Sequence, residues 1–508
     1  MEILFYSGFV GCSPATLEKR IPINYIDIRR ISGTLIDMHK FHFSHALNLS
    51  LHKRYIHNRF AAALCIALLT GFMFMCSPAQ SQTMWCPADL NQDHEVSPSD
   101  VSLLLLGWGS TLPLDPADIN RDGEVDGQDL TCMLLEQGPC PPTLESLLVN
   151  LRESQGAPWG ITVPGLAAAV VTGVADHLEV VEAVSGSSNP PANTPLELGD
   201  RFHVGSVTKT FIAALIMQLV QEGKISLSDP ISRWITFPDG DTITVSMLMG
   251  HTSGIRSSDE LPGFTRLLSP EQCIALAAAV PLVFAPGSSW AYSNTNYAIL
   301  GVIAEKTSGT TWENALRERF FIPLGLHDTY VWSGHAEGST VDGSRLNCGT
   351  TGESPCVPGP GFTLVAEDDG FAWTVAGAAG ALVSTPADIA RWMNALVGGN
   401  VVDKQHLDLM ITPTPQSVEV LALLPKFGSM RWTGVGLGLF RFEIDGVGTG
   451  YGHSGLINGF TANVAHVPAI GVTVGFTSNF QQINSIEALG DLIIHVAASM
   501  PASNSGCN

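Results

Sequence analysis

The chain has 508 residues, 45% of them hydrophobic and 14% charged, with a formal net charge of −22. The apolar share excludes wholesale disorder, and the length allows one large core with smaller appended segments, since single cores stop growing near roughly 250–300 residues. The acidic balance excludes a partner held through phosphate charge, so no nucleic acid is expected.

Residues 60–75, FAAALCIALLTGFMFM, are an apolar run preceded by Lys53, Arg54 and Arg59 and followed by CSPAQSQ. Basic, apolar and small residues in that order read as a secretory signal peptide, with a cleavage site around Ser77-Pro78-Ala79. An uncleaved anchor is the competing reading, against which the run falls short of the roughly 20 residues a spanning helix needs. Residues 1–37 lie upstream of an ordinary signal peptide, and Met38 makes a better start, so 1–79 are read as leader and signal peptide. The expected location is secreted, periplasmic or cell-surface. Removing 1–79 takes away more basic than acidic residues and leaves seven of ten cysteines. In an oxidising compartment Cys86 is expected to pair with Cys132 or Cys140, and Cys348 with Cys356.

Two segments repeat 29 residues apart. The first carries Asp89, Asn91, Asp93, Ser97 and Asp100, the second Asp118, Asn120, Asp122, Asp126 and Asp129, each at loop positions 1, 3, 5, 9 and 12. Ca2+ is a hard cation that takes six to eight oxygens, and oxygens at alternate positions of a tight loop wrap one ion. Position 6 needs a sharp turn, supplied by Gly123 in the second loop and by His94 in the first, so the second loop is expected to bind better. An apolar run after each loop, 101–106 and 130–135, predicts one helix per repeat. The pattern over 86–140 resembles the duplicated repeat of dockerin modules, which implies structural Ca2+ and a protein partner docked through this segment. Pro139, Pro141 and Pro142 then mark a boundary near Thr143.

The main domain is expected over 143–498, with 499–508 as a tail. Its clearest feature is Ser206-Val-Thr-Lys209 followed by an apolar stretch to Gln221 and a stop at Gly223, which predicts a buried helix with Ser206 at its start. Positions i and i+3 share a helix face, so Lys209 sits beside Ser206. A serine hydroxyl needs a base to become a nucleophile, and a desolvated lysine has its pKa lowered enough to serve. N–H groups at the helix start would face the developing oxyanion.

Farther on come Tyr292-Ser-Asn294 and His453-Ser-Gly455. With the Ser206/Lys209 pair these three motifs, in this order, resemble those of serine β-lactamases and penicillin-binding proteins. Gly250-His-Thr-Ser-Gly254, 297–309 and 380–392 extend the resemblance. It implies Tyr292 as general base or proton shuttle, Asn294 as a holder of Lys209 and of the substrate amide, and an edge strand bearing His453, Gly455 and Leu456. The N–H of Leu456 would join that of Ser206 in an oxyanion hole. Much of the family has Lys where this chain has His453, and histidine there resembles the carboxypeptidase, D-aminopeptidase or esterase branches. His251 is read as structural, and His203 has no partner visible in the sequence.

β-rich segments at 435–442, 460–467 and 472–477, with loops at 281–290 and 343–362, predict an α/β (α+β) fold. It comprises an antiparallel sheet flanked by helices, with a helical subdomain across the cleft. The expected function is a serine hydrolase that forms an acyl-enzyme at Ser206 from a small-molecule or peptide amide or ester, with no cofactor for catalysis. The competing readings are a non-catalytic penicillin-binding-like protein and a calcium-dependent surface-attachment protein.

Overall fold

The computed structural model describes residues 86–500 apart from 113–114, 121, 160, 175–176, 191, 265–267, 333–339, 347–363 and 367–375. The leader and signal run, the Cys348–Cys356 pairing and the tail after Met500 lie outside the described residues.

The repeat holds β1 (Glu95–Val96), α1 (Pro98–Leu106), α2 (Gly127–Leu135) and β2 (Gly138–Pro139), with the two strands paired antiparallel. Each helix starts with a reciprocal cap: Ser97 or Asp126 accepts first-turn N–H groups while Asp100 or Asp129 reaches back to the cap's own N–H. That pairing satisfies donors which a helix start otherwise leaves open. The segment has its own small core of Ala88, Val96, Leu104, Ala117, Ile119, Val125, Cys132 and Met133. A disulfide joins Cys86 to Cys140, so of the two partners open to Cys86 it is the more distant that is used.

Helix α3 (Leu144–Gly156) buries Leu144, Leu147, Leu148 and Leu151, a one-faced stripe at helical spacing. The chain then forms β3 (Gly165–Val174), β4 (His177–Asn189) and β5 (Thr194–Pro195) and passes through β6 (Phe202–His203). Next comes a helical region with α4 (Thr208–Gln221), α5 (Val245–Met249), α6 (Pro270–Ala278) and α7 (Asn294–Ser308). Strand β7 (Tyr330–Val331), the pair β8 (Ser344–Leu346) and β9 (Leu364–Ala366), the single turn α8 (Gly377–Gly380) and β10 (Leu382–Ser384) follow. Helix α9 (Pro386–Val397) leads to β11 (Met430–Val435), β12 (Phe440–Ile444), β13 (Gly448–Ile457), β14 (Phe460–Val467) and β15 (Val472–Ser478), and α10 (Ser485–Ser499) closes the fold.

Among the described residues the main sheet is antiparallel, in the order β11-β12-β13-β14-β15-β3-β4-β5, and β6-β10-β7 form a smaller one. Every residue of β14 and β15 is buried, the mark of strands covered on both faces. One face carries α3 and α10, through Leu148, Leu489, Leu492, Ile493 and Val496. The other packs Ala462 and Val464 against a core that includes Ile212, Leu215 and Ile216 of α4 and Ile299 and Leu300 of α7. Phe211 of α4 stacks on Trp392 of α9 at 3.9 Å, and the Trp392 indole donates to Thr210 Oγ1 at 2.8 Å. Helix α4 is thus the central pillar between sheet and helical region, which is why its sequence is apolar on nearly every side.

Two boundaries differ from expectation. The segment 435–442, expected as one β segment, is the end of β11, a turn at 436–439 and the start of β12, and in that turn Gly438 (φ 103°) lies so close to α4 that a Cβ there would stand 2.3 Å from Ala213 Cβ. The stretch from 343 onward, expected as loop, begins with β8. No helix of the described residues is long and apolar enough to cross a membrane.

Candidate active site

Ser206 lies in a single 3₁₀ turn, Gly205–Val207, immediately ahead of α4. Thr208 Oγ1 locks that turn by donating to the Gly205 carbonyl at 2.7 Å and accepting from Leu382 N at 3.1 Å. Lys209 is fully buried, and its Nζ stands 2.9 Å from Ser206 Oγ, 2.8 Å from Asn294 Oδ1 and 2.6 Å from the Ala379 carbonyl of α8. Burial lowers its pKa to about 7, with the Asp259 carboxylate opposing the shift. A neutral amine near pH 7 keeps two N–H groups and one lone pair. Two of its three neighbours are carbonyl oxygens that only accept, so they take the two N–H groups. The lone pair is then left for the Ser206 hydroxyl.

Tyr292 lies on the other side of Lys209, which stands 5.0 Å above its ring centroid. Burial pushes the phenol well above its usual range, and the Ser206 side chain, its hydrogen-bond partner, partly opposes that. His251 stacks on the Tyr292 ring, with centroids 4.5 Å apart. Its Nδ1 accepts the Ser293 N–H at 3.1 Å, which leaves the proton of the neutral ring on Nε2. Burial holds this imidazole well below its usual pKa, and Lys209 and His453 push in the same direction whenever they carry a proton.

Asn294 opens α7, whose N-cap Ser293 makes no side-chain cap bond. The cap comes instead from a separate loop: Ser257 Oγ accepts the Asn294 N–H at 2.9 Å. The same loop brings Asp259, whose Oδ2 accepts from Asn294 Nδ2 at 3.1 Å and whose Oδ1 accepts from Ser257 Oγ.

His453, Gly455 and Leu456 lie on β13, which is an interior strand of the sheet and not the edge expected. Its pairing explains how it still reaches the site. β12 covers it only from Gly448 to Gly452, so the half from His453 to Ile457 is bordered by β14 alone and faces Ser206 on its open side. A Cβ on Gly455 would stand 2.0 Å from the Val204 carbonyl and 3.2 Å from Ser206 N, and one on Gly205 (φ 49°) would stand 3.1 Å from Leu456 N. Only glycines allow backbones this close. His453 Nδ1 donates to the Ser454 carbonyl at 2.6 Å, its ring meets Phe440 edge-on at 5.0 Å, and burial together with Lys209 lowers its pKa to about 3. It is a neutral imidazole with Nε2 as acceptor. Leu456 is 40% exposed.

The structure therefore brings Ser206, Lys209, Tyr292, Asn294, His453, Gly455 and Leu456 together. His251, read as structural, proves to support the tyrosine ring. Asp259 and the Ala379 carbonyl carry no motif of their own and become visible only in the fold. His203 is buried elsewhere, edge-on to Trp332 and Phe460.

In the repeat the two sets of oxygen-bearing residues adopt one pattern. Asp89 accepts from the N–H groups of Asp93 and His94, as Asp118 does from Asp122 and Gly123. Asp100 accepts from Asn91 and Ser97, and Asp129 from Asn120 and Asp126. The sixth residue has positive φ in both loops, 69° at His94 and 94° at Gly123.

The sequence pattern of the Beta-lactamase family matches residues 158–498. Penicillin-binding protein 4 of Amycolatopsis lactamdurans is 30% identical over 343 residues, covering 62% of this chain and 81% of that protein. The D-alanyl-D-alanine-carboxypeptidase/endopeptidase AmpH of Escherichia coli K12 is 26% identical over 275 residues, covering 48% of this chain and 66% of that protein. A solved D-stereospecific amidohydrolase from Streptomyces sp. superposes with a TM-score of 0.56 at 27% identity, over 68% of this chain and 98% of that one. A family pattern that runs through more than half of the residues, including every element around Ser206, shows that this chain belongs to the beta-lactamase family.

Proposed function

We propose that the protein is a serine hydrolase that opens an amide or ester through an acyl-enzyme on Ser206. The observation that carries this reading is the buried Lys209 Nζ 2.9 Å from Ser206 Oγ, with the carbonyl oxygens of Asn294 and Ala379 as its other two neighbours. Ser206 Oγ attacks the substrate carbonyl carbon and its proton passes to Lys209 Nζ. The N–H groups of Ser206 and Leu456 receive the oxyanion. Because burial keeps the Tyr292 phenol protonated, its role is that of a relay: it gives its proton to the leaving nitrogen or oxygen and is reprotonated from Lys209. The C–N or C–O bond breaks, and water then releases the acyl group.

His453 would accept a hydrogen bond from substrate through Nε2, and Asn294 would hold both Lys209 and the substrate amide. The relatives' names, a carboxypeptidase and a D-stereospecific amidohydrolase, favour peptides or amides of D-residues as substrates.

The repeat fits structural Ca2+. Its hard oxygen donors, Asp89, Asn91, Asp93 and Asp100 in one loop and Asp118, Asn120, Asp122, Asp126 and Asp129 in the other, lie in two loops of one geometry. The ion would hold each loop against its helix. A docking role is favoured by exposed apolar side chains at equivalent positions of the two helices, Leu105 and Leu106 with Leu134 and Leu135.

The test is intact-mass spectrometry after incubation with a penicillin and, separately, a fluorophosphonate. An adduct on Ser206, absent in a folded Ser206→Ala variant, is expected; no adduct from either reagent would leave a non-catalytic binding protein as the better reading.

A further inference from the structure

Lys209 can hold its lone pair toward Ser206 only if Asn294 presents Oδ1, and not Nδ2, to the amine. An amide side chain is nearly symmetric in shape, so its orientation is decided by what its other end meets. Here that end meets the Asp259 carboxylate, an obligate acceptor 3.1 Å from Asn294 Nδ2. The opposite orientation would set a carbonyl oxygen against the carboxylate and an N–H₂ group against Lys209.

Asp259 is itself held in place. Its other oxygen accepts from Ser257 Oγ, which caps Asn294 N, and the Ser258 N–H donates to Thr295 Oγ1 at 2.9 Å, which donates to the Arg256 carbonyl at 2.9 Å. The loop is thus stitched to the first residues of α7, where a carboxylate is also favoured by the positive end of the helix dipole.

We propose that Asp259 is a positioning residue for Ser206 acylation: through Asn294 it sets the direction of the Lys209 lone pair, and through its charge it supplies the anion that balances Lys209 when the amine takes up the serine proton. This inference rests on the hydrolase reading. Among the described residues the other groups facing Lys209 are the Tyr292 and Tyr297 phenols and the His251 and His453 imidazoles, and burial keeps all four neutral. Asp259 accordingly has no substitute among them as a counter-charge, and its electrostatic effect on Lys209 is to raise the lysine pKa.

The experiment measures the rate of Ser206 acylation against pH in the full chain and in Asp259→Asn, Asp259→Ala and Asp259→Glu. It also measures thermal midpoints and the titration of Lys209 by NMR of isotopically labelled lysine. Asp259→Asn removes the charge and makes the partner of Asn294 ambiguous. It should slow acylation roughly tenfold or more and move the acid limb and the Lys209 titration down by roughly one pH unit. Asp259→Ala should do the same, and Asp259→Glu should return the limb toward wild type. Slower acylation with an unmoved limb and an unmoved Lys209 titration, accompanied by a lower thermal midpoint, would reduce Asp259 to a fold-holding residue and overturn the inference. A wild-type protein that is never acylated would overturn the hydrolase reading itself, while the Lys209 titration would still report whether Asp259 controls the lysine.

Discussion

The two oxygen-rich loops and the serine site solve the same problem, convergence of polar groups, at opposite ranges along the chain. Each loop draws its donors from twelve consecutive residues, 89–100 or 118–129, and their hydrogen bonds run between neighbours. The serine site draws on the turn at Ser206, the His251–Asp259 loop, the Tyr292–Asn294 segment, the Ala379 carbonyl and the open half of β13. A local site survives wherever its loop can turn. A dispersed one requires the sheet, α4 and α7 to be in place first, and so its chemistry and its packing are affected by the same substitutions.

The largest contrast should come from Lys209→Met, which leaves the repeat untouched and should reduce Ser206 acylation by roughly a thousandfold or more, measured as adduct formed per minute. The pKa of Lys209 falls from 10.5 unfolded to about 7 folded, so between those values the folded state binds fewer protons, and its burial cost is fully present below pH 7. The thermal midpoint of Lys209→Met relative to wild type should therefore be more favourable at pH 6 than at pH 9. Equal differences at the two pH values would mean that the lysine is not desolvated.

Gly455→Ala tests the close approach of β13 to the Ser206 turn. A Cβ 2.0 Å from the Val204 carbonyl must displace one backbone, at a cost of about 1–3 kcal/mol and with loss of acylation, read by denaturant unfolding and labelling together. Unchanged labelling would show that the two segments are not held as described.

Acid titration sharpens the contrast between buried and exposed histidines. The pKa of His453 and of His203 is lowered to about 3 and that of His466 to about 4, in each case chiefly by burial. Their contribution is fully present above the unfolded value of 6.5 and is lost as pH falls from there toward 4 and 3. Thermal midpoints should decline below pH 6.5, and His453→Gln should flatten part of that decline.

The smallest effect belongs to the repeat. His94 holds φ 69° where the second loop has glycine, and left-handed backbone costs an ordinary residue roughly 1 kcal/mol. His94→Gly should tighten Ca2+ binding in the first loop by a few-fold in calorimetry, with no change in Ser206 acylation. A change in acylation would tie the two regions together.

What the sequence determined by itself was whatever depends on spacing. The i, i+3 relation puts Lys209 beside Ser206, the 29-residue repeat gives two loops of one geometry, and an apolar stretch ended by glycine gives α4. These follow from the period of a helix and the reach of a loop, both set by local backbone geometry. The tertiary structure alone decided which half of β13 is open toward Ser206, that His251 lies under Tyr292, and that Asp259 and the Ala379 carbonyl orient Asn294 and Lys209. It also decided that 435–442 is broken by a hairpin turn at 436–439 between β11 and β12. None of these is encoded in a spacing, because each depends on where a sheet and two helices come to rest against one another. The polarity of the site follows from that packing: burial lowers the pKa of Lys209 and of the histidines, and packing surrounds Lys209 Nζ with two carbonyl acceptors and the Ser206 hydroxyl.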